Sequence, residues 1–169
     1  MSIQPQAQPV VLVIDSDPLT MTGIAAALHL SGYECHCARD REAAVKAGNA
    51  LALDLIISDV QVGRDSGLEI CAEIQASDRN RDVSLMFISA QQAPDIVRRS
   101  HADGGVYYLR KPFDPDVLLE LVDRAMWMPH LVRSRLSSVS EHHSAVPGPY
   151  SSRARGQSET DKHLRNALS

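Results

Sequence analysis

Five polar side chains in this sequence stand directly after apolar, strand-like runs: Asp15, Asp17, Asp59, Ser89 and Lys111. The carboxyl ends of parallel strands share one rim of a sheet, so side chains placed there are expected to converge. Grouped carboxylates repel one another unless a cation neutralises them, and oxygen ligands of this kind suit Mg²⁺. A carboxylate is also a nucleophile that can form an aspartyl phosphate, whose extra charge a nearby lysine would balance. The residue types therefore indicate an acidic magnesium or phosphoryl site, with Asp59 as its most central member.

The elements that must position these residues are five predicted strands that alternate with five predicted helices. A continuous Leu-Ile-Ile run before Asp59 is typical of a strand buried on both faces, as in parallel sheets covered by helices. Strict alternation over about 120 residues predicts an α/β fold with a doubly wound five-stranded parallel sheet. The strands are predicted at 10–14, 33–38, 53–59, 83–89 and 106–109. The helices are predicted from Pro18 to a Ser31-Gly32 stop, from Arg41 to about Gly48, from Leu68 to Ile74, from Ala93 to Ala102, and from Asp114 to Pro129.

The charges divide the chain into an acidic part and a basic part. Residues 1–129 contain 11 Lys and Arg against 18 Asp and Glu, whereas residues 130–169 contain 6 against 3. An acidic domain argues against binding to a nucleic-acid backbone as its main task. We predict a flexible N-terminus at 1–8, one domain at 9–129, and a polar tail at 130–169 that is disordered or partly helical. The tail has too few apolar residues to form a DNA-binding domain with its own core, so none is expected.

The three cysteines, Cys35, Cys37 and Cys71, do not form the pattern of a disulfide framework or a zinc site. Cys35 and Cys37 alternate along a predicted strand, so both are expected to face the core as small apolar side chains. The first residues lack the charged and apolar segments of a secretory signal, and no apolar stretch approaches the roughly 20 residues of a membrane span. These features predict a cytoplasmic protein without a membrane partner.

The site residues stand in a set of short segments with a regular spacing. Asp59 and Ser89 are 30 residues apart, Lys111 follows 22 residues later, and Tyr108 precedes that lysine by three. The segments are Val11-Leu12-Val13-Ile14-Asp15, Asp54-Leu55-Ile56-Ile57-Ser58-Asp59, Gly67-Leu68-Glu69, Phe87-Ile88-Ser89-Ala90 and Lys111-Pro112-Phe113. Their order and spacing resemble the receiver domain of two-component response regulators, over roughly residues 9–128. The resemblance implies a chemotaxis-receiver-like, flavodoxin-like (βα)5 fold with a polar C-terminal extension.

The resemblance also implies a role for each residue of the acidic site. Asp59 would accept a phosphoryl group from a phosphohistidine on a sensor histidine kinase or a phosphotransfer protein. Asp15, Asp59 and the backbone carbonyl of Gln61 would bind Mg²⁺, and Lys111 would pair with the phosphoryl group. The chain would then be a signalling protein rather than an enzyme, whose only reaction is its own phosphorylation.

A second set of implied roles concerns the response to phosphorylation. Ser89 would hydrogen-bond the phosphoryl oxygen, and Tyr108 would swing inward when Ser89 moves. The Lys111–Pro112 peptide bond would be cis, as cis bonds belong to proline. A downstream protein would read the new state on the face formed by the fourth helix, fifth strand and fifth helix, through a population shift.

The sequence departs from the receiver pattern after the first strand. The family has two adjacent acids there, and the second is a metal ligand, but Ser16 stands in that place. Asp17 is acidic and a candidate ligand, although one residue further along it should project differently. Gly63 and Ser66 replace a proline and an acid or amide, which affects the loop and a helix cap more than the chemistry. Two hypotheses follow, a phosphorylated receiver and a degenerate receiver-like interaction module that binds Mg²⁺ weakly.

An enzyme is the third hypothesis. Asp15-Ser16-Asp17 resembles the D-x-D nucleophile motif of haloacid-dehalogenase-type phosphatases. That family expects Thr or Val two residues after the second Asp, where this chain has Leu19. It also needs cap and acid elements for which the chain has little room. The receiver resemblance is therefore the stronger one.

Overall fold

The structure is a computed structural model that describes residues 7–92, 94–95, 97–98 and 106–127. The predicted polar tail and most of the predicted fourth helix lie outside these residues, as does most of the predicted flexible N-terminus. Among the described residues, no helix has the length and apolar character needed to cross a membrane.

Five parallel strands form one sheet: β1 (Val10–Ile14), β2 (Glu34–Ala38), β3 (Leu55–Asp59), β4 (Ser84–Ser89) and β5 (Val106–Arg110). Their order across the sheet is β2-β1-β3-β4-β5. This is the flavodoxin-like order of a doubly wound sheet, in which the strand order reverses between β1 and β3. The predicted fold class is confirmed. A site at the reversal point would draw on the carboxyl ends of β1 and β3, where Asp15 and Asp59 stand.

The described helices are α1 (Pro18–Leu30), α2 (Arg41–Ala50), α3 (Gly67–Gln75) and a helix at 115–127, and residues 95, 97 and 98 are also helical. Their ends follow from local chemistry. Asp40 caps α2 by accepting a hydrogen bond from the Ala43 N–H at 2.8 Å. Gly32, just past the end of α1, has a φ of +85°, a backbone conformation that glycine adopts without a steric cost. These two boundaries agree with the sequence prediction.

The side chains of the sheet alternate between two apolar cores, one on each face. In β1, Val11 and Val13 face a core completed by α1 and helix 115–127, whereas Leu12 and Ile14 face a core completed by α2 and α3. All four side chains are fully buried. Burial on both faces explains why the central strands read as continuous apolar runs instead of alternating ones. It also holds the carboxyl ends of the strands at a fixed level on one rim.

Two features of the fold differ from the sequence prediction. The loop after Asp59 contains a short antiparallel hairpin that pairs Gln61–Val62 with Asp65–Ser66, and Gly63 at its turn has a φ of +62°. The expectation that both strand cysteines pack in the core is wrong for Cys37. Cys35 packs against the α1-side core, but Cys37, further along the edge strand β2, is exposed.

Candidate functional site

The centre of the rim is an ion cluster of Asp15, Asp59 and Lys111. The Lys111 Nζ lies 2.7 Å from Asp15 Oδ2 and 2.6 Å from Asp59 Oδ2, so one ammonium bridges both carboxylates. The Asp15 side chain is 1% exposed, and those of Asp59 and Lys111 are 14% and 16% exposed. Hydrogen bonds between charged groups are shorter and stronger than neutral ones, particularly away from water. The cluster therefore holds the Asp59 carboxylate in a defined orientation with one edge open to solvent.

Backbone groups hold the other oxygen of each carboxylate. The Asp17 N–H donates to Asp15 Oδ1 at 2.8 Å, and the Gln61 N–H donates to Asp59 Oδ1 at 2.9 Å. The Asp15 N–H itself donates to the Ala38 carbonyl of β2 at 3.1 Å. Every carboxylate oxygen of the cluster thus has a hydrogen-bond donor, which fixes the orientation of both side chains.

Lys111 keeps its charge in this half-buried place. Burial alone would lower the pKa of Lys111, because it disfavours the ammonium. The hydrogen bonds and charges of Asp15 and Asp59 outweigh that effect, so the pKa of Lys111 is raised above its ordinary value. The ammonium is therefore a permanent counter-charge to the two carboxylates at physiological pH.

Asp17 serves the helix that follows it. Its Oδ1 accepts from the Leu19 N–H at 3.1 Å, and its Oδ2 accepts from the Thr20 hydroxyl at 2.7 Å and the Thr20 N–H at 3.4 Å. These are the contacts of an N-cap residue on α1. The Thr20 hydrogen bond, followed by the one from Leu19, lowers the pKa of Asp17. The carboxylate is thereby oriented towards the start of α1.

The donor set for a divalent cation is small. In the part of the chain that the structure describes, no three His, Cys, Asp or Glu side chains are grouped closely enough to hold a metal ion. Ser16 is exposed and contributes no charge where a third carboxylate would stand. Two carboxylates and a backbone carbonyl nevertheless fit Mg²⁺, which commonly takes one or two carboxylates and keeps several waters. The donors are therefore of the type that Mg²⁺ prefers, but only two of them carry a negative charge that attracts it.

A second group of predicted residues meets at Gln91, which follows β4. Ser89 is 4% exposed, and its hydroxyl accepts a hydrogen bond from the Gln91 N–H at 3.1 Å. The Tyr108 hydroxyl donates to the Gln91 carbonyl at 2.8 Å. The predicted switch pair is thus joined through one backbone residue that sequence reasoning missed. The residue type of Gln91 could not have indicated this role, because only its main-chain N–H and carbonyl take part.

Gly67 brings α3 against the end of β3. A Cβ at this position would lie 1.8 Å from the Asp59 carbonyl oxygen and 2.7 Å from the Ser58 hydroxyl oxygen. The Gly67 N–H donates to the Val60 carbonyl at 2.9 Å, and Ser66 caps α3. Only glycine fits such an approach, because contacts this short are essentially unknown for a real Cβ. In the sequence Gly67 is only a motif residue, and this packing role follows from the tertiary structure.

An apolar cleft opens beside Lys111 between α1 and the start of helix 115–127. Its volume is about 440 Å³. Leu19, Gly23 and Ile24 line one side, and Pro112 and Phe113 line the other. The Leu19 side chain is 83% exposed, although leucine is normally buried. The peptide bond between Lys111 and Pro112 is cis, as predicted.

The site residues predicted from the sequence therefore fall into three groups. Asp15, Asp59 and Lys111 meet in one cluster, and Ser89 and Tyr108 meet at Gln91. Gln61 touches the cluster through its N–H, while Asp17 is occupied at the α1 cap. Their functional roles remain predictions.

Comparison with known proteins finds a family and a consistent set of relatives. The family profile described as the response regulator receiver domain matches residues 11–123. The chain is 29% identical over 118 residues to the DNA-binding dual master transcriptional regulator RpaA of Synechocystis, covering 68% of this chain and 47% of that protein. It is 29% identical over 117 residues to the transcriptional regulatory protein PdtaR of Mycobacterium tuberculosis, covering 69% and 56%. The chain thus spans about half the length of these relatives.

Solved structures give the same result at the level of the fold. The chemotaxis protein CheY4 of Vibrio cholerae matches with a TM-score of 0.64 and 25% identity, covering 70% of this chain and 99% of that one. A response regulator from Thermotoga maritima matches with a TM-score of 0.60 and 28% identity, covering 70% and 98%.

Proposed function

Because this chain belongs to the response regulator receiver domain family, we propose that it is a signalling receiver whose Asp59 accepts a phosphoryl group from a histidine kinase or phosphotransfer protein. The observation that carries the proposal is the contact of Lys111 Nζ with both Asp59 and Asp15, at 2.6 and 2.7 Å. An ammonium in this place can stay beside Asp59 while that residue gains negative charge. A cytoplasmic location follows from the class of phosphodonor.

The proposed reaction is a transfer between two nucleophiles. A carboxylate oxygen of Asp59 attacks the phosphorus of a phosphohistidine, the P–N bond breaks, and the imidazole keeps the electron pair and takes a proton. The product is an acyl phosphate on Asp59. Its charge is spread over three oxygens, so the stabilisation must come from nearby cations and donors. Lys111 supplies the permanent cation, and we propose the Ser89 hydroxyl of β4 as a further donor.

Mg²⁺, when bound, would neutralise charge on the phosphoryl oxygens during transfer. Asp15, Asp59 and the Gln61 carbonyl are the groups we propose to hold it, with waters completing the coordination. Asp17 is a weak candidate, because both of its carboxylate oxygens accept hydrogen bonds from α1. Ser16 removes one charge from this set, so a low affinity for the cation is expected.

The proposed output begins at Gln91. A phosphoryl group on Asp59 that accepts a hydrogen bond from the Ser89 hydroxyl would draw that side chain towards Asp59 and away from the Gln91 N–H. Gln91 would then move, and its carbonyl would release the Tyr108 hydroxyl. Tyr108 could turn inward, changing the face that includes β5 and helix 115–127. A downstream protein that prefers one of the two faces shifts the population between them.

The apolar cleft beside Lys111 suits the phosphodonor. The cleft opens next to the cluster, and the α1 residues that border it carry no charge. A helical donor protein could cover Leu19 while bringing its phosphohistidine to Asp59. Burial of Leu19 and its apolar neighbours in the cleft would then supply part of the binding free energy.

A second candidate function is a receiver-shaped interaction module with little or no phosphorylation. The observation in its favour is the small cation site, with Ser16 exposed and Asp17 turned to the helix cap. In this case Lys111 would act as the resident counter-charge that holds Asp15 and Asp59 together. Partner binding would then control the protein without phosphoryl transfer.

Acetyl phosphate and Mg²⁺ separate the two candidates. If Asp59 is the phosphoacceptor, the intact mass of wild type rises by one phosphoryl group, and Asp59→Asn abolishes the rise. Ser16→Asp should raise the Mg²⁺ affinity and the rate, because it adds a carboxylate beside Asp15. Asp65→Asn, which changes a half-exposed carboxylate outside the cluster, should behave as wild type.

Two results would change the conclusion. An adduct that survives Asp59→Asn would mean that the acceptor is another residue. A wild type that stays unmodified at high Mg²⁺, together with an active Ser16→Asp variant, would favour the interaction module.

A further inference from the structure

The thiols of Cys35 and Cys37 form a pair outside the rim cluster. They stand two residues apart on the edge strand β2, opposite Val11 and Val13 of β1. Alternate residues of a strand point to the same face, so both thiols lie on the α1 side of the sheet. His36 between them points to the other face, where its Nε2 lies 2.7 Å from Glu34 Oε1. The two sulfurs are thus neighbours on one surface.

Both thiols are accessible, and they interact with each other. Cys35 is half-buried and Cys37 is exposed, whereas Cys71 is buried on the far side of the sheet. The hydrogen bond to Cys37 and burial raise the pKa of Cys35, and the same hydrogen bond lowers the pKa of Cys37. For Cys71, burial raises the pKa to about 12. The two accessible thiols are therefore adjacent on one edge strand, whereas the third cysteine is buried on the other face of the sheet.

The spacing of a strand favours a bridging metal ion over a disulfide. Residues two apart on a strand are separated by about 6.6 Å, and their side chains leave the backbone in parallel. A disulfide needs Cβ atoms about 3.8 Å apart, so closing one here would require the backbone to move. Two metal–sulfur bonds of about 2.3 Å each let the sulfurs stay about 4.6 Å apart. Parallel side chains reach that separation with small rotations.

The number and type of donors narrow the choice of ion. Zinc sites use four ligands in a tetrahedron, and the described residues contain no group of three or more His, Cys, Asp or Glu that could hold a metal. Two thiolates are soft ligands, which select Cu(I) over hard cations such as Mg²⁺. We propose that Cys35 and Cys37 form a two-thiolate site for one Cu(I) ion per chain. Binding releases the two thiol protons and leaves the oxidation states of copper and sulfur unchanged.

The test is a titration of the reduced full-length chain with Cu(I) in competition with bicinchoninate, a coloured Cu(I) chelator. We expect each chain to take one equivalent of Cu(I) from the chelator. Native mass spectrometry should then show one chain with one copper ion. Cys35→Ser and Cys37→Ser should each weaken binding by about tenfold or more. Cys71→Ser, the matched control at a buried position, should bind as wild type. The same titration with Zn²⁺ and a zinc chelator should show no transfer.

The folded state of each variant is followed by circular dichroism. Cys37→Ser changes an exposed side chain, and Cys35→Ala keeps a small apolar group against α1, so a variant of each position should fold. Undiminished Cu(I) binding in the Cys35→Ser/Cys37→Ser double variant would overturn the proposal. Equal affinity for Zn²⁺, or one copper shared by two chains, would overturn it as well.

Discussion

The rim of the sheet has two halves that carry different amounts of chemistry. The half formed by β3, β4 and β5 supplies Asp59, Ser89, Tyr108 and Lys111, each with a partner within hydrogen-bonding distance. The half formed by β1 supplies only Asp15, because Ser16 is neutral and Asp17 caps α1. All the groups proposed to receive and report a phosphoryl group are thus present, whereas the groups proposed to hold Mg²⁺ lack one carboxylate. We therefore expect substitutions in the two halves to have different effects.

Lys111 connects the two halves. Its ammonium lies between Asp15 of β1 and Asp59 of β3 in the place where a divalent cation would compete for the same oxygens. Because Lys111 already neutralises part of the charge on the two carboxylates, less negative charge is left to attract Mg²⁺. A well-placed lysine and a low Mg²⁺ affinity are therefore consistent with each other. Four substitutions test how far the two halves depend on each other.

Gly67→Ala should have the largest effect, because it disturbs the packing of α3 against the end of β3. The new Cβ would lie 1.8 Å from the Asp59 carbonyl oxygen, so either α3 or the end of β3 must move. We expect the free energy of unfolding to fall by about 2–3 kcal/mol or more, measured by urea denaturation. Gly23→Ala is the matched control, because a Cβ there has open space and alanine favours a helix by about 1 kcal/mol. Equal stability of the Gly67→Ala variant and wild type would contradict the close approach.

Lys111→Met should shift the balance between internal and external cations. Without the ammonium, Asp15 and Asp59 repel each other and attract Mg²⁺ more strongly. We expect the Mg²⁺ affinity, measured by calorimetry, to rise about tenfold, while phosphoryl acceptance falls. Arg110→Met, which removes an exposed cation next to Lys111 in sequence, is the control and should leave the affinity unchanged. An affinity that stays constant in Lys111→Met would mean that the lysine does not compete with the metal.

Tyr33→Phe should affect stability without affecting either half of the rim. The Tyr33 hydroxyl donates a hydrogen bond to Asp123 Oδ1 at 2.5 Å. Tyr33 directly precedes β2, at the end of the sheet opposite the rim. Burial, together with Asp123, raises the pKa of Tyr33 to about 12. Because the pKa in the folded protein lies above the ordinary tyrosine value of about 10, this contribution is complete below pH 10 and is lost as the pH rises towards 12.

The loss of this hydrogen bond should lower the free energy of unfolding by roughly 1 kcal/mol at neutral pH, measured by denaturation of both proteins. The difference from wild type should shrink above pH 10. A change in Mg²⁺ affinity would show that the two ends of the sheet are coupled.

Asp17→Asn should have the smallest effect on the cation site. Asparagine is an equally good N-cap, so α1 should form normally at neutral pH. If the carboxylate acts only on the helix, the Mg²⁺ affinity measured by calorimetry stays at the wild-type value. Because the pKa of Asp17 is lowered, its ionised form stabilises the folded protein above pH 3.8, and this effect disappears as the pH falls through the folded pKa. A clear loss of Mg²⁺ affinity would instead make Asp17 a ligand.

Residue type and local geometry predict those features that a few neighbouring residues determine. The apolar run before Asp59, the Asp40 cap and the Gly32 stop are of this kind, and all three agree with the structure. Solvent exposure is harder to predict, because it depends on which elements pack over a strand. Cys35 and Cys37 have the same residue type and face, yet Cys35 is half-buried against the α1-side core and Cys37 is exposed.

By itself, the sequence determined the α/β class, the strand ends that carry Asp15, Asp59, Ser89 and Lys111, and the neutral Ser16. Only the tertiary structure decided that Lys111 touches both carboxylates, that Gln91 joins Ser89 to Tyr108, and that Gly67 lies against Asp59. The physical reason is sequence distance. Lys111 and Asp15 are 96 residues apart, so their contact depends on strand order and register across the sheet. Residue types along the chain indicate which groups are available, and packing of the sheet against its helices decides which of them meet.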